Sequence, residues 1–156
     1  MRKLCLLFLL IGTYCYAGEK KYTVDSPDGK IQLAIIQTDA GELTYQLSVK
    51  RKQVIEASAL GFKTEDGVSF PSQGWKMGKV TRNKVNSVWK PLWGKRAVVP
   101  DKYNEMKLSF VNEAKSSDAL EVVARAYNEG VAFRYVSPQG TGSALELTTF
   151  NFAGDY

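Results

Sequence analysis

Glu42–Lys50 reads "ELTYQLSVK". Leu43, Tyr45, Leu47 and Val49 fall on one side of an extended chain, and Thr44, Gln46, Ser48 and Lys50 fall on the other. Successive side chains of a strand point to opposite faces. A strict period of two with one apolar side therefore marks a half-buried antiparallel strand. The same period recurs in both directions from this stretch. Ile31, Leu33 and Ile35 show it, as do Met106, Leu108 and Phe110, then Leu120, Val122, Ala124 and Ala126, then Val131, Phe133 and Tyr135. Asp28-Gly29, Asp39-Ala40-Gly41, Asp66-Gly67 and Asn128-Glu129-Gly130 separate the runs with residues that tolerate a positive φ. The cluster Lys50-Arg51-Lys52 reads as a charged hairpin tip. No window of twelve residues carries a helical stripe. The pattern predicts an all-β chain, an antiparallel sandwich or barrel, in one domain.

The first residues belong to something else. Arg2 and Lys3 precede an apolar run from Leu4 to Ile11, and Cys15-Tyr16-Ala17 offers small residues at −3 and −1. That is the layout of a signal peptide over residues 1–17, cleaved after Ala17 to leave 18–156. The run is too short to span a bilayer. Tyr14 before Cys15 disfavours the alternative of a lipid-modified cysteine. The reading is an exported, periplasmic protein with no membrane contact after cleavage.

Cleavage would remove both cysteines, so the domain would be held by its core and not by disulfides. About 140 residues suffice for one such core. Of the 21 cations Arg2 and Lys3 leave, and none of the 16 acids does, which gives 19 against 16. An excess of three is too weak for a nucleic-acid face. The chain has no histidine, which excludes Ser-His-Asp and Cys-His systems and His-ligated zinc or copper. Carboxylate chemistry and oxygen-ligated calcium stay open.

Residues 67–101 break the alternation. They hold three prolines and all three tryptophans, and their end reads "VWKPLWGKRAVVPDKYNEMKL" over Val88–Leu108. Trp89 and Trp93 can stack on a pyranose face, or pack on the core or on a neighbouring domain. Lys90, Lys95 and Arg96 can make cation–π contacts or hydrogen-bond hydroxyls. Trp75 reads as core. Tyr103 and Asn104 can satisfy backbone groups at the exit of an irregular loop. Glu105 reads as a solvated or hydrogen-bonded acid opening a strand. Glycoside hydrolysis needs two carboxyls roughly 5–5.5 or 6.5–9.5 Å apart, and neither Glu105 nor Asp155 has a partner that the sequence identifies. No catalytic residue and no metal ligand is assigned.

Four segments, in order, give the chain a family likeness. "SPDGKIQLAI", "WKPLWGKRAVVPDKYNEMKLSF", "NEGVAFRY" and "TTFNF" resemble the N-terminal domain of glycoside hydrolase family 97. Lys95 stands where that family usually carries an acid, and Asn128-Glu129-Gly130 replaces a commoner Asp-Asp-Gly turn. The resemblance implies the first part of a large β-sandwich, incomplete here, that precedes a (β/α)8 catalytic barrel. The strand-like "ALELTTFNFAGDY" at the C-terminus fits an unfinished sheet. It implies exported enzymes that hydrolyse α-glucosides or α-galactosides with calcium in the site. The catalytic carboxylates and most calcium ligands would lie beyond residue 156. Trp89, Lys90, Trp93, Arg96, Tyr103, Asn104 and Glu105 are then candidates for the pocket rim or for the interface with the barrel. A stand-alone carbohydrate-binding module is the alternative, and a surface adhesion protein a third reading.

Overall fold

The alternating runs form strands where the period of two places them. The computed structural model describes residues 19–65, 67–72, 74–113, 119–137 and 142–154. The expected signal peptide and Asp155 lie outside them. Eleven strands follow one another: β1 (Lys20–Asp25), β2 (Ile31–Gln37), β3 (Leu43–Val49), β4 (Lys52–Ala59), β5 (Phe62–Thr64), β6 (Ser69–Phe70), β7 (Trp75–Trp89), β8 (Val99–Asn112), β9 (Ala119–Tyr127), β10 (Val131–Val136) and β11 (Ala144–Glu146). One sheet has the order β1-β2-β3-β4 and a second the order β10-β9-β8-β7, and a small third sheet runs β11-β5-β6. All strand pairs are antiparallel.

The two four-stranded sheets close on each other through the residues the alternation singled out. Leu33, Ile35, Leu43 and Tyr45 of the first sheet meet Met106, Leu108, Phe110, Leu120, Val122, Ala124 and Ala126 of the second in one buried cluster. Val131, Phe133 and Tyr135 pack against it from β10. Trp75 is in the cluster, as expected for it. Phe70, from the irregular region, is in it too, with Phe62, Trp75, Phe110 and Tyr135 around its ring.

Turn chemistry fixes the register. Lys50 and Arg51 both take positive φ, 50° and 68°, and form the tip between β3 and β4. The "SPDGK" segment is a hydrogen-bonded knot. Ser26 Oγ donates to Asp28 Oδ1 at 2.6 Å and accepts from Ile31 N at 3.0 Å, while Lys30 N donates to Asp28 Oδ1 at 3.1 Å. Gly29 supplies the positive φ of 71°. Asp28 N donates to Asn128 Oδ1 at 3.0 Å, so two of the four family-like segments are joined. Asn128 is thus a good acceptor where the family usually has Asp.

Hydrogen bonds from Ser26 and Lys30 lower the Asp28 carboxyl to about 2. A depressed carboxyl stabilises the fold above its unfolded value, and loses that contribution as pH falls through the folded value. In urea titrations at several pH values, the stability difference between the wild type and Asp28→Asn should be constant above pH 4. It should shrink between pH 4 and 2. A difference that stays flat down to pH 2 would refute the role.

The sheets are staggered. β1 lies over β8 and β9, and β2 lies over β9, and Tyr45 of β3 meets Phe133 of β10 at 5.5 Å. β7 therefore projects past β1 at one side, and β4 projects past β10 at the other. The edge of β4 is not bare. Residues 147–153 run along it, with Glu56 N donating to Asn151 O at 2.8 Å, Thr149 N to Ala59 O at 3.1 Å and Ala153 N to Val54 O at 3.0 Å. The expected strand character of the C-terminus is thus an edge strip with one isolated bridge, Ile55 to Phe152. Its Phe150 and Phe152 lie on the inner side, where β10 has ended, and both are exposed.

Candidate functional site

The segment expected to be an irregular loop is mostly a ladder. Trp89 pairs with Val99, Val88 with Pro100 and Val85 with Tyr103, so β7 and β8 make a long hairpin and only residues 90–98 lie outside strands. Proline did not break it because β9 stops at Tyr127, opposite Tyr103. Beyond that rung β8 has only β7 as a neighbour, and Pro100 faces no strand on its other side. A proline is tolerated on such an edge. Past Tyr103 the hairpin is a two-stranded ribbon, about 14 Å long at roughly 3.4 Å per residue.

The ribbon ends in an apolar tip. Val88, Trp89, Leu92, Trp93 and Val98 are all exposed, Leu92 at 99% and Trp93 at 88%. Lys90, Lys95 and Arg96 are exposed beside them. Neither tryptophan closes the end of the sandwich, so core packing does not explain them. An apolar cluster held this far from its own core is suited to meeting another surface.

Tyr103, Asn104 and Glu105 sit at the root of the arm. Asn104 lies on the core-facing side, where its Nδ2 donates to the Asp25 carbonyl at 2.7 Å. It satisfies a backbone group on the edge of β1, not at the exit of the loop as the sequence suggested. Arg82 Nη2 donates to the Thr23 carbonyl at 3.3 Å on the same edge. Together they cap outward carbonyls of β1 that would otherwise invite another strand. A cleft of ≈ 630 Å³ lies here, lined by Thr23–Pro27, Gly29, Arg82–Lys84, Asn104 and Glu105.

Glu105 does not open a strand. It stands in the middle of β8, is buried at 6% exposure, and points to the outer face of the second sheet with Tyr103. Arg125, its cross-strand partner, donates Nε to Glu105 Oε2 at 2.8 Å, and Lys107 Nζ lies 3.8 Å from Oε1. The Arg125 guanidinium lies 4.3 Å over the Tyr103 ring. Tyr103 in turn packs on Tyr127 at 5.0 Å. The bond to Glu105 holds Arg125 further above its ordinary value, and burial pushes the Tyr103 phenol up. A carboxylate engaged by two cations is a poor general base. Its place is structural.

The structure thus splits the candidates. Trp89, Lys90, Trp93 and Arg96 share the tip, while Tyr103 and Glu105 share a buried cluster, with Asn104 on the opposite face. Arg125 and Tyr127, which complete that cluster, were missed by the sequence reading. They alternate onto the polar side of "ALEVVARAY", but nothing in one strand tells which residue of another it will face. Among the described residues no three Asp, Glu, His or Cys side chains converge as metal ligands do. The calcium implied by the resemblance, most of whose ligands would lie beyond residue 156, finds no such set among the described residues.

A family model described as Glycosyl-hydrolase 97 N-terminal matches residues 24–156. The chain is similar to a retaining alpha-galactosidase of Bacteroides thetaiotaomicron, 26% identical over 138 residues, which covers 88% of this chain and 20% of that protein. It is also similar to a probable retaining alpha-galactosidase of Streptomyces bingchenggensis, 30% identical over 151 residues, covering 94% and 23%. Among solved structures, a Glycoside Hydrolase Family 97 enzyme from Pseudoalteromonas sp. strain K8, in complex with acarbose, superposes with a TM-score of 0.66. It shares 36% identity over 75% of this chain and 17% of that one. A beta-arabinopyranosidase superposes with a TM-score of 0.71 and 28% identity, over 84% and 21%. The chain spans about a fifth of the length of the curated relatives it matches. From its ordered segments, its staggered sandwich and these matches, the chain belongs to the N-terminal family of the glycosyl hydrolases 97.

Proposed function

We propose that this chain is the non-catalytic scaffold at the front of an exported, periplasmic α-glycosidase that acts on α-glucosides or α-galactosides. One observation carries this reading. Among the described residues, large apolar side chains stand exposed at the tip of the arm, Trp89, Leu92 and Trp93, and along the last segment, Leu145, Leu147, Phe150 and Phe152, surfaces suited to meeting further structure. The arm would reach the catalytic barrel, the last segment would take the remaining strands of the sandwich, and the calcium and reacting carboxylates would come with the barrel. Purified chain incubated with nitrophenyl α-glucoside and α-galactoside should show no turnover above background. Turnover that follows the protein through purification would overturn the assignment.

A sugar platform is the second reading, favoured by the exposure of both rings at the tip. Maltooligosaccharide titrations followed by tryptophan fluorescence separate the two. A scaffold gives no saturable change, whereas a platform gives one that disappears in Trp89→Ala and Trp93→Ala.

A further inference from the structure

The outer face of the second sheet holds a feature the scaffold role does not use. Arg125 on β9 pairs across to Ala132 on β10, and Arg134 pairs with Val123. The two arginines are diagonal neighbours on one face, with Cα atoms roughly 7–8 Å apart. Like charges at that spacing repel unless something negative lies between them. A depression of ≈ 140 Å³ does lie there, lined by Val123, Arg125, Tyr127, Ala132, Phe133 and Arg134.

Arg125 is held for a task. Its Nε is bonded to buried Glu105 and its guanidinium is stacked on Tyr103. A guanidinium anchored through Nε has its plane fixed, and the N–H groups on its far edge stay free to donate, which spares the entropy of ordering it on binding. Glu105 is shared with Lys107 and so does not neutralise the face. Two other acids lie on this face: Asp101, on β8 two residues before Tyr103, and Glu121, opposite Val136 and Ser109, which accepts a long bond of 3.5 Å from Ser109 Oγ. Among the described residues no carboxylate lies within ion-pair distance of Arg134.

We propose that Arg125, Arg134 and Tyr127 form an oxyanion-binding cup, preorganised by Glu105 and Tyr103, that takes one carboxylate, sulfate or phosphate group. Two guanidinium groups and a hydroxyl match an oxyanion's acceptors. The volume suits one such group with at most part of the molecule that carries it. A free inorganic oxyanion and the carboxylate of a uronic acid are its two sources.

The test is amide shift mapping by nuclear magnetic resonance on the whole chain. Sodium sulfate, inorganic phosphate and methyl glucuronoside are each titrated against sodium chloride of equal ionic strength, with methyl glucoside as the neutral sugar. The cup predicts saturable shifts confined to residues 123–127 and 132–134. Arg134→Gln should weaken binding about tenfold, as loss of a charge-assisted bond does. Arg82→Gln, with the same change of charge on the core-facing side of β7, should leave affinity unchanged. Sulfate or phosphate without glucuronoside would identify a free oxyanion, and tighter glucuronoside displaced by sulfate would identify a sugar acid. Shifts no larger than with chloride, equal binding of the neutral glucoside, or equal losses in the two variants would overturn the proposal.

Discussion

Phe70→Ala is expected to destabilise the chain by about 3–5 kcal/mol, and to lower its melting temperature by about 10–15 °C for a domain of this size. Phe70 is 1% exposed. Trp75 and Phe110 meet it edge-to-face at 5.2 and 5.1 Å, with Phe62 at 5.8 Å and Tyr135 at 6.1 Å. Such ring pairs add roughly 0.5–1.5 kcal/mol each beyond the area they bury. These rings come from β5, β7, β8 and β10, so Phe70 joins the small third sheet to the second large one. The surroundings cannot easily collapse into the gap. Close by, a Cβ built on Gly61 would sit 2.6 Å from the Phe70 carbonyl, so the backbone is already tight. Trp93→Ala is the matched control, because at 88% exposure its ring has little packing to lose, and it should change stability by less than about 0.5 kcal/mol. Urea unfolding followed by circular dichroism compares the two. A loss below about 1 kcal/mol for Phe70→Ala would mean that the rings do not act as a hub.

Phe70 also shows where the sequence stops being legible. Strands with one wet face announce themselves, because each second residue must be apolar. Leu43, Tyr45, Met106, Leu108 and Phe110 could therefore be placed on the core face without any structure. β6 is two residues long and β5 is three, too short for a period to show. The arm misled for a different reason. Past Tyr103 the ribbon has no buried face, so β7 has no alternation there to read, and its prolines look like breaks. Pro91 lies in the tip outside the strands, and Pro100 is harmless because it stands where β8 has no second neighbour. The site residues follow the same logic. Trp89 and Trp93 were visible as unusual types in an unusual place. Glu105 was visible only as one acid of sixteen, since its burial and its pairing depend on which strand lies next to β8. That is set by the whole fold and not by local residues.

Arg125→Leu is the second substitution with a large expected effect. It leaves the Glu105 carboxylate, 7% exposed at its side chain, with Lys107 Nζ alone at 3.8 Å. Stranding one partner of a fully buried pair costs about 3–5 kcal/mol. The Arg125 side chain is 33% exposed, so water enters its place, and a discount for screening brings the expectation to about 2–3 kcal/mol. Glu105→Leu alone should cost less, because the freed arginine can turn to solvent. The double substitution should return to within about 1 kcal/mol of the wild type, as apolar replacement of a buried pair often does. Urea unfolding of the four proteins closes the cycle. Costs that add to within about 0.5 kcal/mol would show two independent residues and no coupled pair. Strong coupling together with a stable double variant would mean that the pair adds little net stability. Its value would then be geometric: it fixes where the Arg125 guanidinium points, and a fixed guanidinium on the face it shares with Arg134 is what a cup for an oxyanion requires.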